Sequence, residues 1–148
     1  MLKIVLLLVD STEASGAAAE FAISLAKACN AKLMAIAVVD TATLKELLTY
    51  RIMVSQEMEE YERDLEQTGR RQLALVEEQA AKAGVKVETI HKKGAIHSVA
   101  VEVQEKTGAD AIVLSAFRMS QVQRDLLAKE KQLILDEVCC PVIVVKKP

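Results

Sequence analysis

The chain has 148 residues, with 19 basic and 21 acidic side chains that give a formal net charge of −2. This length predicts a single domain over residues 1–148, because domains commonly hold about 100–150 residues. The balanced charge and the aromatic content of 3% argue against nucleic acid as a partner. The apolar run Ile4 to Val9 is too short for a secretory leader or a membrane span, so we expect a cytoplasmic protein without a membrane partner.

The first third of the chain predicts a strand, a helix and a second strand. Strand 1 covers Leu2 to Val9, and its run does not alternate apolar with polar residues, which is typical of a strand buried on both faces. Ser11 or Thr12 is the expected N-cap of helix 1. Asn30 can close this helix in the left-handed conformation, and strand 2 covers Lys32 to Val39.

A long helical segment follows. Thr41 or Thr43 can cap a short helix, and a second helix is predicted from about Ser55 to Ala83. Its first half, Ser55 to Leu65, has apolar residues at heptad spacing: Val54, Met58, Tyr61 and Leu65. The pattern leaves two interpretations open. Either this half projects and meets a protein partner, or the whole segment is one curved core helix with a solvated, glutamate-rich face.

The remaining elements continue the alternation of strands and helices. Strand 3 is predicted at Val85 to Lys92, strand 4 at Ala111 to Leu114 and strand 5 at Pro141 to Val145, with a helix between each pair. Five strands that alternate with helices predict an α/β fold with a parallel sheet. In such sheets ligands bind beyond the carboxyl ends of the strands, so the segments that follow strands 1 and 4 are the candidate site.

Neither histidine nor cysteine supports a metal site or catalysis. His91 and His97 have no cysteine or carboxylate partner at the spacing of metal ligands or of a catalytic triad. We expect His97 on the surface. The three cysteines fit no zinc-binding spacing. We therefore predict no metal, no cofactor and no enzymatic activity.

The chain resembles the universal stress protein family over nearly its whole length. The features that carry the resemblance are Asp10 at the end of strand 1, the boundary at Gly84, the turn at Gly94, the run Gly108 to Leu114 and the run Cys140 to Val145. The resemblance implies a doubly wound open sheet of order 3-2-1-4-5 with helices on both faces. It also implies a homodimer whose last strands, Val142, Ile143, Val144 and Val145, pair across a two-fold axis.

The glycine signature of the nucleotide-binding branch of that family is missing here. That signature follows strand 4 and reads Gly, two residues, Gly, nine residues, then Gly and Ser or Thr. Glycines let backbone N–H groups approach phosphate oxygens. The matching positions hold Ser115, Arg118, Ala128 and Lys129. Ser120 and Gln123 instead match a capping box, which predicts a helix where relatives have the phosphate loop.

Two functions follow from these residues. The first is a stress-response protein that does not bind ATP and acts through protein contacts. The alternative is an adenine-nucleotide site that the resemblance would assign to Asp10, Val39, Ser115, Arg118 and Lys129. In that alternative Arg118, Arg124, Lys129 and Lys131 would hold the phosphates by their side chains, although a solvated helix face also explains this charge run. Asp10 is equally explained as a turn or capping residue.

Overall fold

The computed structural model describes residues 2–51, 54–116 and 121–147, with only the backbone given for 121–127. Its elements, in chain order, are β1 (Ile4–Val9), α1 (Ser15–Cys29), β2 (Lys32–Asp40), α2 (Thr41–Thr49), α3 (Ser55–Ala83), β3 (Val87–Gly94), α4 (Ile96–Thr107), β4 (Ala111–Ser115), α5 (Gln121–Glu137) and β5 (Val142–Val145). The five strands are parallel, in the order β3-β2-β1-β4-β5. The predicted fold and strand order are therefore confirmed.

Helices cover both faces of the sheet because successive residues of a strand point to opposite sides. Val5, Leu7 and Val9 of β1 pack in one apolar cluster with side chains of α1 and α3. Leu6 and Leu8 pack in a second cluster with side chains of α4 and with Ile134 of α5. This double burial explains why strands 1 and 4 read as uninterrupted apolar runs.

Helix α1 begins later than the sequence predicts. Its N-cap is Ala14, which makes no capping hydrogen bond through its side chain, so the prediction of Ser11 or Thr12 as the cap is wrong. The hydroxyl of Thr12 bonds to the Asp10 carboxylate instead. Asn30 closes the helix with φ 52°, as predicted.

Helix α3 is one continuous helix with two different halves. From Gly69 onwards it contributes buried side chains to the core: Leu73, Val76 and Ala80. Residues 54–68 include no buried side chain. The helix is therefore unbroken and only its second half belongs to the core, while a protein partner for the first half stays a prediction.

The edge strand β5 lies where the strand order predicts it. It pairs with β4 alone among the described strands, and the side chain of Val144 is 46% exposed. Within the described part of the chain, no helix is both long and apolar enough to cross a bilayer.

Candidate functional site

The candidate site lies at the carboxyl ends of β1 and β4. These two strands are adjacent, with Val5 opposite Ala111 and Leu7 opposite Val113. The strand order reverses between them, which in doubly wound sheets opens a crevice for ligands. The segment after β1 begins with Asp10, and β4 ends with Ser115, so the topology brings these two residues together.

Asp10 is the centre of a compact hydrogen-bonded cluster. Its Oδ1 accepts hydrogen bonds from the backbone N–H of Thr12 at 2.9 Å and from the Thr12 hydroxyl at 2.6 Å. The Ser115 hydroxyl lies 3.0 Å from both carboxylate oxygens and 2.7 Å from the Thr12 hydroxyl. Ser115 is fully buried. The bond between the Asp10 side chain and the backbone of Thr12 is a turn contact, one of the two roles predicted for this aspartate.

Lys131 completes this cluster from helix α5. Its ammonium lies 3.3 Å from Asp10 Oδ2 and donates to the backbone carbonyl of Ser115. Lys131 is only 5% exposed, so the prediction that it belongs to a solvated helix face is wrong for this residue. Burial lowers the pKa of Lys131, and the Asp10 charge opposes that shift. The crevice between β1 and β4 thus already contains an internal cation.

Helix α5 covers the last part of the segment that matches the glycine signature. It begins at Gln121, where the capping box predicts its first residue, and it includes Ala128 and Lys129. Lys129 is exposed, with its ammonium 4.0 Å from a Glu46 carboxylate oxygen. Arg118 and Ser120 lie outside the described residues, as do the side chains of residues 121–127, including Arg124.

The end of β2 supplies one buried and one polar residue. Val39 is 1% exposed and belongs to the sheet core. Asp40 is the N-cap of α2: its Oδ1 accepts from the Thr43 N–H at 3.0 Å and its Oδ2 from the Thr43 hydroxyl at 2.5 Å. The prediction of Thr41 or Thr43 as the cap is therefore wrong. Burial raises the pKa of Asp40, the Thr43 bonds oppose this shift, and the nearby Glu130 carboxylate adds to it.

This cap leads to a prediction about stability. Replacing Asp40 by Ala should lower the free energy of unfolding by about 1 kcal/mol, the usual cost of losing a capping side chain. Asp40→Asn should cost much less, because asparagine caps equally well and has no charge to bury. Because the folded-state pKa is raised, wild type should lose stability relative to the Asn variant as pH rises through that pKa. Urea unfolding at several pH values measures both effects, and equal losses in the two variants would contradict them.

An apolar cavity of about 190 Å³ opens beside the cluster. It lies between α2 and α3, above the ends of β1 and β2. Leu44 and Leu47 form one wall, Tyr61 and Leu65 the other, and Asp10 and Asp40 lie at its base. Gln72, also in its wall, donates to the backbone carbonyl of Asp10 at 2.8 Å and so ties α3 to the site.

His97 has a carboxylate partner that the sequence did not indicate. Its Nδ1 lies 2.6 Å from Glu130 Oε2, and the same oxygen accepts the His97 backbone N–H at 2.9 Å. The His97 side chain is 23% exposed and that of Glu130 is 12% exposed, so His97 lies only partly at the surface, with a carboxylate partner outside the spacings considered in the sequence. Thirty-three positions separate the pair along the chain. No local spacing could have revealed it, and the same holds for Asp10 and Lys131.

These features define a doubly wound α/β protein with its crevice at the reversal of strand order. A sequence model of the universal stress protein family matches residues 1–146. The chain therefore belongs to the universal stress protein family, which confirms the resemblance drawn from its sequence.

Three relatives illustrate this membership. Universal stress protein MJ0531 of Methanocaldococcus jannaschii is 32% identical over 139 residues, which are 94% of this chain and 79% of that protein. UspA from Lactobacillus plantarum superposes with a TM-score of 0.76 at 21% identity and covers 97% of each chain. The universal stress protein from Archaeoglobus fulgidus solved with dAMP gives a TM-score of 0.64 at 13% identity, covering 99% of this chain and 98% of that one. At such low identities the two solved structures show the shared fold.

Proposed function

We propose that this protein is a non-enzymatic, homodimeric universal stress protein that does not bind ATP and acts through protein contacts in the stress response. The observation that carries this proposal is the buried pair of Asp10 and Lys131 inside the crevice between β1 and β4. Three further observations support the proposal: the backbone hydrogen bonds near the crevice, the charges at the crevice, and the hydrogen bonds of the polar side chains around it.

In the described residues that follow β4, the backbone N–H groups of Ala116, Ala128 and Lys129 already have partners. The N–H of Ala116, just after β4, donates to the Val145 carbonyl at 2.7 Å. Ala128 and Lys129 lie beyond the first turn of α5, where N–H groups bond within the helix. A phosphate nest requires free N–H groups that converge on one point. Losing two or three such bonds, at roughly 1.5–3 kcal/mol each, weakens binding by about a hundredfold or more.

The charges at the crevice also disfavour a polyphosphate. The Lys131 ammonium is paired with Asp10, so its charge is largely compensated. Burial is the main cause that raises the pKa of Asp40, and the negative charge of the nearby Glu130 carboxylate adds to it. Carboxylates near the crevice repel the negative charge of a phosphate.

The polar side chains near the site support the absence of catalysis. The Ser115 hydroxyl is fully buried and bonded to Asp10. His97 lies 3.3 Å from the Ser98 hydroxyl, an arrangement that resembles part of a catalytic triad. However, a single Glu130 oxygen binds both the ring and the backbone N–H of His97. This geometry fits a clamp between α5 and the start of α4.

The alternative function is adenine-nucleotide binding that uses Asp10 and basic side chains. The cavity beside Asp10 and the solved relative in complex with dAMP favour it. In this alternative the base would occupy the apolar cavity between α2 and α3. The phosphates would then depend on side chains, because the N–H groups of Ala116, Ala128 and Lys129 are bonded within the sheet and α5.

Calorimetric titration with ATP, ADP and AMP tests the proposal. We expect no binding tighter than about 100 μM for any of the three nucleotides. Titration of dAMP into the Archaeoglobus fulgidus relative is the positive control, since that protein was solved with this ligand. A dissociation constant below about 10 μM for ATP would establish the alternative instead.

A further inference from the structure

We propose that the groove between α2 and the first half of α3 binds a basic amphipathic helix of a partner protein. This inference rests on the proposed function, because it names the surface and the kind of partner through which such a protein would act. Three features of the groove support this proposal: an exposed apolar stripe, an adjacent cavity and a row of acidic side chains.

The first feature is the exposed apolar stripe. Val54, at the start of α3, is 59% exposed and Tyr61 is 36% exposed. Tyr50, at the end of α2, is 74% exposed. Large apolar side chains grouped at one corner of a protein mark interaction sites more often than scattered ones do. Since residues 54–68 include no buried side chain, the apolar residues at heptad spacing in this half of α3 remain partly accessible.

The second feature is the cavity that opens beside this stripe. Leu47 of α2 and Tyr61 and Leu65 of α3 line it. Its volume of about 190 Å³ is comparable with the volume of one large apolar side chain. Helix-in-groove recognition typically inserts apolar anchor residues into pockets of this kind. The groove therefore offers an anchor pocket as well as a flat apolar surface.

The third feature is the charge of the flanking row. Glu57, Glu60 and Asp64 recur at spacings of three and four residues, which aligns them on one side of the stripe. All three are exposed. On the opposite side Glu62 and Glu66 are held by Lys93, at 3.5 and 2.6 Å. Among the described residues, Glu57, Glu60 and Asp64 have no ion-pair partner, so the outer flank carries negative charge where a bound helix would place its own side chains.

The negative charge of this surface indicates which kind of partner fits it. Between Ser55 and Glu66 the sequence has six acidic residues and one basic residue, Arg63. A second copy of this chain would bring one acidic row against another, so like charges disfavour self-association through this surface. A helix with lysine or arginine beside an apolar stripe complements both the charge and the groove.

The test uses the full chain and a synthetic probe. The probe is a fluorescein-labelled peptide of about 18 residues, or five helical turns, with leucine on one face and lysine elsewhere. A second peptide carries glutamate in place of every lysine. Fluorescence anisotropy should give a dissociation constant of about 1–10 μM for the basic peptide and at least tenfold weaker binding for the acidic one. Added salt should weaken binding of the basic peptide.

Matched variants locate the binding surface. Leu48, near the end of α2, is 40% exposed and belongs to the same apolar surface. Leu48→Ser with Tyr61→Ser, and separately Glu57→Lys with Glu60→Lys, should each weaken binding at least tenfold. Leu75→Ser and Glu77→Lys are the controls, because both residues are exposed on the second half of α3. These controls should change the dissociation constant by less than twofold. Circular dichroism should show that every variant remains folded.

Amide hydrogen exchange gives an independent measurement on wild type. Bound peptide should protect Thr41–Thr49 and Ser55–Glu66 more than the rest of the chain. Equal binding of the acidic peptide, equal loss in the control variants, or protection elsewhere would overturn the proposal. So would self-association of wild type that the Glu57→Lys and Glu60→Lys variant abolishes. Failure of the peptide to bind would leave the ATP titration, and hence the proposed lack of nucleotide binding, unaffected.

Discussion

Replacing Lys131 by Met should lower the free energy of unfolding by about 3 kcal/mol, the low end of the usual cost of breaking a buried ion pair. The variant keeps the volume of the side chain but leaves the Asp10 carboxylate and the Ser115 carbonyl without the ammonium donor. Asp10 retains its bonds from Thr12 and Ser115, which is why the low end applies. Denaturant unfolding, monitored by circular dichroism, measures the loss.

Two further variants show whether the loss of stability comes from breaking the ion pair between Asp10 and Lys131. Adding Asp10→Asn to Lys131→Met removes the uncompensated charge, so the double variant should recover about 1–3 kcal/mol of coupling energy. Lys129→Met, two positions away on the same helix but exposed, should change stability by less than about 0.5 kcal/mol. Similar losses in the Lys129 and Lys131 variants, or strictly additive effects in the double variant, would show that the buried pair contributes little.

The pH dependence of folding stability provides a second test of the role of Lys131. Burial lowers the pKa of Lys131 in the folded chain, so the folded state releases this proton at a lower pH than the unfolded state. Between the two pKa values the unfolded state binds more protons, and stability rises with pH. Wild type should therefore gain stability relative to the Met variant as pH rises through the folded-state pKa.

The sequence predicted the fold well because the relevant signals are local. Uninterrupted apolar runs such as Ile4–Val9 and Ala111–Ser115 require burial on both faces, which only a covered parallel sheet provides. Residues that favour a left-handed conformation, Asn30, Gly84 and Gly108, marked three helix ends correctly. The strand order came from the family resemblance, since local patterns do not specify which strands are neighbours.

The site was predicted less well because its contacts join distant segments. Asp10 meets Ser115 across 105 positions, and Lys131 reaches back 16 positions to Ser115. Whether a lysine in the charged run of α5 faces solvent or the crevice depends on how that helix is rotated against the sheet. Lys131 lies three residues before Ile134 and four after Leu127, so helical periodicity places it on the apolar face of α5, whereas its charge favoured the interpretation as a solvated residue. The start of α1 was misjudged for a related reason, since Thr12 bonds to this same cluster.

A second prediction concerns dimerisation through the edge strand β5. We expect wild type to be a homodimer at micromolar concentration, because β5 is short, apolar and, among the described strands, paired with β4 alone. Antiparallel pairing with its two-fold copy would satisfy the outward backbone groups. Such a dimer was implied by the family resemblance, and the free edge in the structure gives it a physical basis.

The hydrogen-bond pattern of β5 identifies the variant that separates dimerisation from folding. The carbonyls of Pro141 and Val145 accept bonds from the N–H groups of Ile112 and Ala116, on the β4 side. In a parallel strand successive residues direct their backbone groups to opposite sides, so Val144 directs its N–H towards the free edge. Val144→Pro removes that outward donor and leaves the bonds to β4 in place. Ile143→Lys is less selective, because Ile143 packs against the core cluster that includes α1.

Val144→Pro should therefore convert the dimer into a folded monomer or an aggregate, whereas Val144→Thr, which keeps the N–H, should remain a dimer. Light scattering coupled to gel filtration gives the mass of each species, and circular dichroism shows whether the monomer is folded. A monomeric wild type would rule out pairing through β5. A Val144→Pro variant that stays dimeric would place the interface on another surface, because a proline at this position cannot donate the bond that antiparallel pairing requires.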